Sequence, residues 1–229
     1  PQNVPVKRYL FNNVHYLSAN VLTNLSKQWE LKANASYANN AIDKESVTKV
    51  YTADDTLRNV NFARSNHYTN QAKGEIIFSK NANKSFFKNT TTYNGLWNGA
   101  ASSVSNNNNF ANQKVKTPSN SFQNSLSAII PWKERLVNAM SFISYRDDKQ
   151  DLFINPASYV VNLQNVDGGN NSELVHQFLN LKTFEAVHSA SIGLSKKNWT
   201  FTPEVGLNYT NNKLLTDVNG VTGNSIQDY

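Results

Sequence analysis

The amino-acid sequence predicts an all-β fold: an antiparallel up-and-down transmembrane β-barrel segment of about eight long strands with alternating short turns and long loops. Three observations predict it. Apolar residues recur at every second position through stretches of 9–12 residues, and a period of two belongs to a strand. The connections alternate strictly between short and long. Aromatic residues stand at both ends of the apolar face in several strands.

The first predicted strand, 17–25, aligns Leu17, Ala19, Val21, Thr23 and Leu25 on one face. The second, 29–37, aligns Trp29, Leu31, Ala33, Ala35 and Tyr37, with Glu30, Lys32, Asn34 and Ser36 opposite. In the third, 68–78, Tyr68, Ala72, Gly74, Ile76 and Phe78 share a face and Asn70 breaks the pattern. In the fourth, 87–97, Phe87, Thr91, Tyr93 and Trp97 are in phase and Asn89 is the exception. The fifth, 122–130, aligns Phe122, Leu126, Ala128 and Ile130 around an off-pattern Asn124. The sixth, 136–145, is apolar on both faces: Val137, Ala139, Ile143 and Tyr145 oppose Leu136, Met140 and Phe142. The seventh, 184–194, aligns Phe184, Ala186, Ala190, Ile192 and Leu194 around His188. The eighth, 199–210, aligns Trp199, Phe201, Pro203, Val205, Leu207 and Tyr209. Pro203 cannot donate to a sheet ladder, so this strand is expected to carry a bulge there or to lie at an edge.

Short connections fall at 26–28, 80–85, 131–135 and 195–198, and they hold the Ser, Asn, Lys and Pro of turns. Long polar connections are expected at 38–67, 98–120, 146–182 and after 210. Tight turns on one side and long loops on the other are the pattern of an outer-membrane barrel. Structureless loops of such length are uncommon in compact domains.

Four aromatic pairs bracket the apolar faces: Trp29 with Tyr37, Tyr68 with Phe78, Phe87 with Trp97, and Trp199 with Tyr209. The members of each pair are an even number of residues apart, so both point to one side of a strand. Rings that are apolar with a polar tip favour a membrane–water interface, so these eight residues are the expected interface girdle. The opposite face carries Glu30, Lys32, Lys73, Glu75, Glu185 and Glu204, which are expected to face the lumen.

Composition narrows the function classes. Hydrophobic residues make up 39% of the 229, and the mean hydropathy is −0.55, low for a packed soluble core. There are 37 asparagines, yet aromatic residues reach 11%, more than a disordered chain carries. The chain lacks cysteine, which excludes disulfide scaffolds and thiolate metal sites. The net charge of +6 is scattered, so no nucleic-acid partner is expected. No stretch has ~18 consecutive apolar residues, a test to which barrel strands are invisible. The four histidines are not at metal-ligand spacings, no nucleophile, P-loop or dinucleotide motif occurs, and neither enzyme activity nor a cofactor is expected. "RDDKQD" at 146–151 clusters three carboxylates and "NVDGGNN" at 165–171 is like a calcium loop without its closing Glu; both read as solvated loops, with a Ca²⁺ site as the alternative at each.

The stretch "RYLFNNVHYLSANVLTNLSKQWELKANASYANN", followed by "KNTTTYNGLW", resembles barrel segments of TonB-dependent-receptor-like outer membrane proteins of Bacteroidota. The resemblance covers about residues 8–104. It implies a large barrel in the bacterial outer membrane that encloses an N-terminal plug and captures a ligand on its extracellular loops for uptake. With no plug-like segment and no signal peptide in 1–229, the chain is expected to be a partial barrel domain. Short periplasmic turns would place both its ends outside, as in a piece of a barrel. Its expected partners are outer-membrane lipid, the plug and remaining strands of a parent chain, and an unknown ligand at the loops. Two alternatives remain: a small eight-stranded outer-membrane barrel with a structural or adhesion role, and a soluble secreted β-sandwich that binds glycans.

Overall fold

The computed structural model describes residues 10–106, 109–155, 174–196, 199–218 and 221–228. It is all-β. In chain order the strands are β1 (Leu10–Asn24), β2 (Trp29–Tyr51), β3 (Leu57–Ala82), β4 (Ser85–Asn106), β5 (Asn109–Trp132), β6 (Arg135–Asn155), β7 (Val175–Ile192), β8 (Leu194–Lys196), β9 (Trp199–Phe201), β10 (Glu204–Val218) and β11 (Val221–Asp228). Nine form a single antiparallel sheet in the order β1-β2-β3-β4-β5-β6-β7-β10-β11, while β8 and β9 pair only with each other. Each strand of the large sheet lies beside its predecessor, which is up-and-down topology. Among the described residues β1 and β11 do not pair with one another, so the sheet has two open edges.

The strands are longer than the periodicity predicts. All four long connections are wholly or partly strand. The expected loop 38–67 is the paired continuation of β2 and β3, which turn only at 52–56. The expected loop 98–120 is likewise the far half of the β4–β5 hairpin, in register from Phe86↔Ile129 to Asn106↔Asn109. β6 runs on to Asn155, and β10 continues to Val218, with Asn211–Val218 paired to β11. The reason is physical. These extensions are rich in Asn, Ser, Thr and Lys on both faces, so no apolar face marks their period, yet backbone pairing is unaffected by polarity. The segment 165–171 lies outside the described residues.

Turn geometry accounts for the hairpin ends. At the tip of β2–β3, Asp55 adopts φ 62°. There the Asp54 carboxylate accepts hydrogen bonds from the hydroxyls of Thr52 and Thr56, which hold its pKa below the usual carboxylate value. Between β5 and β6 a two-residue turn places Lys133 at φ 59°, as a primed turn requires of its first central residue.

The eighth predicted strand is not continuous. β9 ends at Phe201 and β10 begins at Glu204, with Thr202 and Pro203 in neither. Opposite them β7 ends at Ile192, and Gly193 separates it from β8. The Ile192 amide donates to the Pro203 carbonyl at 3.2 Å. Pro203, which has no N–H to donate, thus ends the β7–β10 ladder opposite Ile192, and beyond it β8 and β9 bond only to each other.

Among the described residues there is no core of the globular kind. The buried apolar residues are Ala111, Ala128, Ile154, Val175 and Ala186, and none of the described side chains is fully buried. A sheet ordinarily hides one face against a second layer. Here the long strands lie in one sheet, and no second layer covers either face among the described residues.

Candidate functional site

The pairing register decides which side chains share a face. From Leu17↔Tyr37 and Ala33↔Ile76 it carries through Gly74↔Tyr93, Tyr93↔Phe122, Phe122↔Tyr145, Tyr145↔Phe184 and Ala186↔Tyr209. The apolar phases read separately from the strands therefore fall on one continuous face. The ambiguous strand is settled as well: Val137, Ala139, Ile143 and Tyr145 of β6 join that face, and Leu136, Met140 and Phe142 take the other.

Two belts of rings bound this face. At the short-turn end Trp29 stacks on Phe78 at 4.5 Å between centroids and 16° between planes. Phe87 completes the cluster at 5.7 Å from Trp29 and 6.0 Å from Phe78. The Lys80 ammonium lies 5.6 Å from the Trp29 ring. On β5 the same end is marked by Trp132. At the other end Tyr93, Phe122, Tyr145 and Phe184 are successive register partners across four strands, and the Phe184 and Tyr209 rings are 6.1 Å apart.

The belts cross the register lines in the same direction. Tyr37 shares its line with Ala72, Asn120, Asp147, Lys182 and Lys213, whereas the ring on β10 is Tyr209, four residues nearer the turn end. In the lower belt Trp29 shares its line with Phe87 and Ala128, whereas the ring on β5 is Trp132, again four residues nearer the turn end. A level drawn across tilted, staggered strands has this slip.

Between the belts the face carries no Asp, Glu, Lys or Arg on β1 to β7 or β10. Beyond the upper belt it turns charged at once: Asp147 follows Tyr145, and Lys182 precedes Phe184. The off-pattern asparagines find partners on the face. Asn124 exchanges amide hydrogen bonds with Asn89, at 3.1 and 3.2 Å, and donates to the Thr91 hydroxyl at 2.8 Å. Asn70 lies beyond the upper belt and accepts from the Tyr37 hydroxyl at 3.1 Å. His188 stands between the belts, with Ser141 and Leu207 as register partners.

Of the eight predicted girdle residues, the structure brings Trp29, Phe78 and Phe87 into contact at one end and places Tyr37 and Tyr209 in the belt at the other. Tyr68 and Trp97 share the face but lie beyond that belt, next to Gly99 and Asn70 in register. Trp199 sits on the separate β8–β9 tip, 83% exposed. The tip keeps the register of β7 and β10, Leu194↔Phe201 following Ser191↔Glu204, but Thr202 and Pro203 interrupt the strand between Trp199 and Tyr209. Sequence reasoning missed Trp132, Tyr93, Phe122, Tyr145 and Phe184 as belt members. A ring row of register partners across strands, rather than a pair within each strand, was the available signal.

The six predicted lumen residues all lie on the opposite face. Lys32 pairs with Glu30 at 3.0 Å, and the Asn34 amide donates to Glu75 at 2.8 Å. The "RDDKQD" stretch is strand, not loop. Its alternation sends Asp147 and Asp151 to one face and Asp148 to the other. Asp147 pairs with Lys149 at 3.4 Å, Asp148 with Arg146 at 2.6 Å and Asp151 with His176 at 2.7 Å.

Glycines accommodate the rings. A Cβ at Gly99 would stand 2.3 Å from the Tyr68 ring, and one at Gly95 2.5 Å from Trp97. At Gly74 a Cβ meets nothing within 4 Å. The two substitutions should therefore differ in sign. Gly74→Ala is expected to stabilise by roughly 0.5–1 kcal/mol through the unfolded chain. Gly99→Ala must push the Tyr68 ring off its glycine and is expected to destabilise by about 1 kcal/mol net. Denaturant midpoints of the two variants, refolded side by side, check this.

No family model matches the chain, and no curated protein is similar to it. Solved structures similar to it include the ferric citrate transporter FecA in its unliganded form, at 6% identity over 96% of this chain and 44% of that one, with a TM-score of 0.38. A second is the alcaligin outer membrane receptor FauA from Bordetella pertussis, at 10% identity over 99% of this chain and 40% of that one, TM-score 0.30. A third is the siderophore receptor PiuA from Acinetobacter baumannii, at 8% over 92% and 43%, TM-score 0.24. The chain spans less than half the length of each, and likeness at these scores carries no function over.

Proposed function

We propose that the chain forms part of the wall of a receptor barrel in the bacterial outer membrane, of the TonB-dependent type whose barrel segments its sequence resembles. The face between the belts lies against lipid, and the face with Glu30, Lys32, Lys73, Glu75, Glu185 and Glu204 lines the lumen. The short turns are periplasmic, and the long hairpins stand outside as the wall and loops that meet the ligand. The open edges of β1 and β11 take the remaining strands of the parent barrel, because an unpaired edge in lipid leaves backbone groups without partners. A plug domain is the partner within the lumen.

The observation that carries this reading is the uncharged face between two aromatic belts. On β5, Trp132 and Phe122 are ten residues apart, about 33 Å along the strand at ~3.3 Å per residue. A tilt of ~40° brings that to about 25 Å, the height of the apolar band of a membrane barrel. On β2, Trp29 and Tyr37 span about 26 Å, or about 20 Å of height. Such a face in water would be a large apolar patch with nothing to cover it.

The test is folding into lipid. Urea-unfolded chain diluted into short-chain phosphatidylcholine vesicles is expected to float with the lipid and to gain heat-modifiable gel mobility. A chain that remains a monodisperse soluble protein without detergent or lipid overturns the reading.

A further inference from the structure

Two polar clusters interrupt the uncharged face between the belts, and only one of them closes on itself. Asn89, Thr91 and Asn124 satisfy one another through hydrogen bonds between β4 and β5. On β6 and β7, Ser141 and His188 are direct register partners. Neither side chain has a hydrogen-bond partner among the described residues. Around them stand Ala139 and Ile143 on β6, Ala186 and Ala190 on β7, Leu207 on β10 and Leu126 on β5, none with a polar side chain. The Tyr209 ring, diagonal to His188, packs beside Phe184.

Depth makes the difference matter. His188 is four residues from Phe184 of the upper belt and four from Ile192, where β7 ends. Four residues are about 13 Å along a strand, or about 10 Å of depth at a tilt of ~40°. Lipid tails offer neither donor nor acceptor there, and an unbonded polar group costs free energy. An imidazole and a hydroxyl each donate and accept, so the pair is complementary to itself. An isologous contact sets the same patch of two copies face to face. With its two-fold axis along the membrane normal between β6 and β7, the His188 ring of each copy meets the Ser141 hydroxyl of the other. Ala139 and Ala190, direct register partners beside the pair, add no bulk, and small residues let two backbones approach within a membrane.

We propose that the outward face of β6 and β7 is a contact between two copies of this chain within the bilayer, joined by two His188–Ser141 hydrogen bonds. This assignment rests on the membrane reading of that face.

The chain has no cysteine of its own, so single cysteines report the contact. The full chain carrying Ala139→Cys or Ala190→Cys is folded into phosphatidylcholine vesicles, floated and oxidised with copper phenanthroline. Disulfide-linked dimers are expected from these chains and from their mixture, and few from Val21→Cys, on the same face but on the edge strand β1. Adding His188→Leu to the Ala139→Cys chain should lower the dimer yield by roughly tenfold, whereas His188→Gln, which still donates and accepts, should keep most of it. At high lipid-to-protein ratio His188→Leu should fold at least as well as the native chain. If it does not fold, Ser141→Ala reads the same bond. Floated chain that forms no links overturns the contact, because lipid alone then covers the pair. So does a yield unchanged by His188→Leu, or equal linking at Val21, which would mean chance collision or association through the open edges. Chain that does not float with the vesicles overturns the membrane reading, and the contact with it.

Discussion

Ala33→Arg is expected to cost roughly 2–4 kcal/mol of folding free energy in a bilayer, while Asn34→Arg, one residue on, costs less than about 0.5 kcal/mol. Ala33 lies midway between Trp29 and Tyr37 on the uncharged face, with Val21 and Ile76 as its register partners. An arginine there must hold its guanidinium in hydrocarbon or bend it some four residues' length to either belt. Asn34 points to the other face, where its amide already contacts Glu75 at 2.8 Å. An arginine in its place meets that carboxylate and water. The same pair separates the membrane reading from a soluble one. In water both positions are half-exposed surface, and neither substitution would cost more than about 0.5 kcal/mol. Folding titrations in vesicles, read by heat-modifiable mobility against urea, give both numbers. Equal small effects at the two sites would remove the lipid assignment of the face.

What the sequence made legible is what an apolar/polar contrast writes into it. The phase of the strands was readable because one face is apolar and the other is not, and the register brings those phases onto one surface. β6 could not be phased alone, because Met140 and Phe142 lie on the polar face; only its partners Phe122 and Phe184, both opposite Tyr145, fix it. The far halves of the hairpins were illegible for the opposite reason. Around Asn70, Asn98 and Asn120 both faces are polar, so alternation leaves no trace, although the ladder continues. Trp132 was hidden by its neighbours: Pro131 and the turn residues after it assign that position to a connection, whereas it is the last ring on the strand. Pro203 was correctly a warning. It marks a break in the strand rather than a bulge: Ile192, the last residue of β7, stands across from it, and beyond that pair β8 and β9 bond only to each other.

Phe78→Ala is expected to destabilise the sheet by roughly 2–3 kcal/mol. The ring is held between two others: Trp29, which opens β2 after the first turn, stacks on it, and Phe87, which opens β4 after the second, meets it edge-on. Three strands are thus tied together at their turn ends by side chains in addition to the backbone ladder. Each ring pair contributes about 0.5–1.5 kcal/mol beyond the apolar area it covers. Lipid tails can refill much of the gap left by the ring, so the loss stays below the ~3–5 kcal/mol of a Phe→Ala change in a close-packed protein core. A double-mutant cycle with Trp29→Ala isolates the shared part, and a coupling of about 1 kcal/mol is expected. Trp199→Ala is the control, a still larger aromatic on the β8–β9 tip that touches no other ring among the described residues; it should cost less than about 0.5 kcal/mol. If the two truncations cost the same, the rings at the turn end act only as separate interface anchors, and what holds β2, β3 and β4 at the turn end is backbone pairing alone.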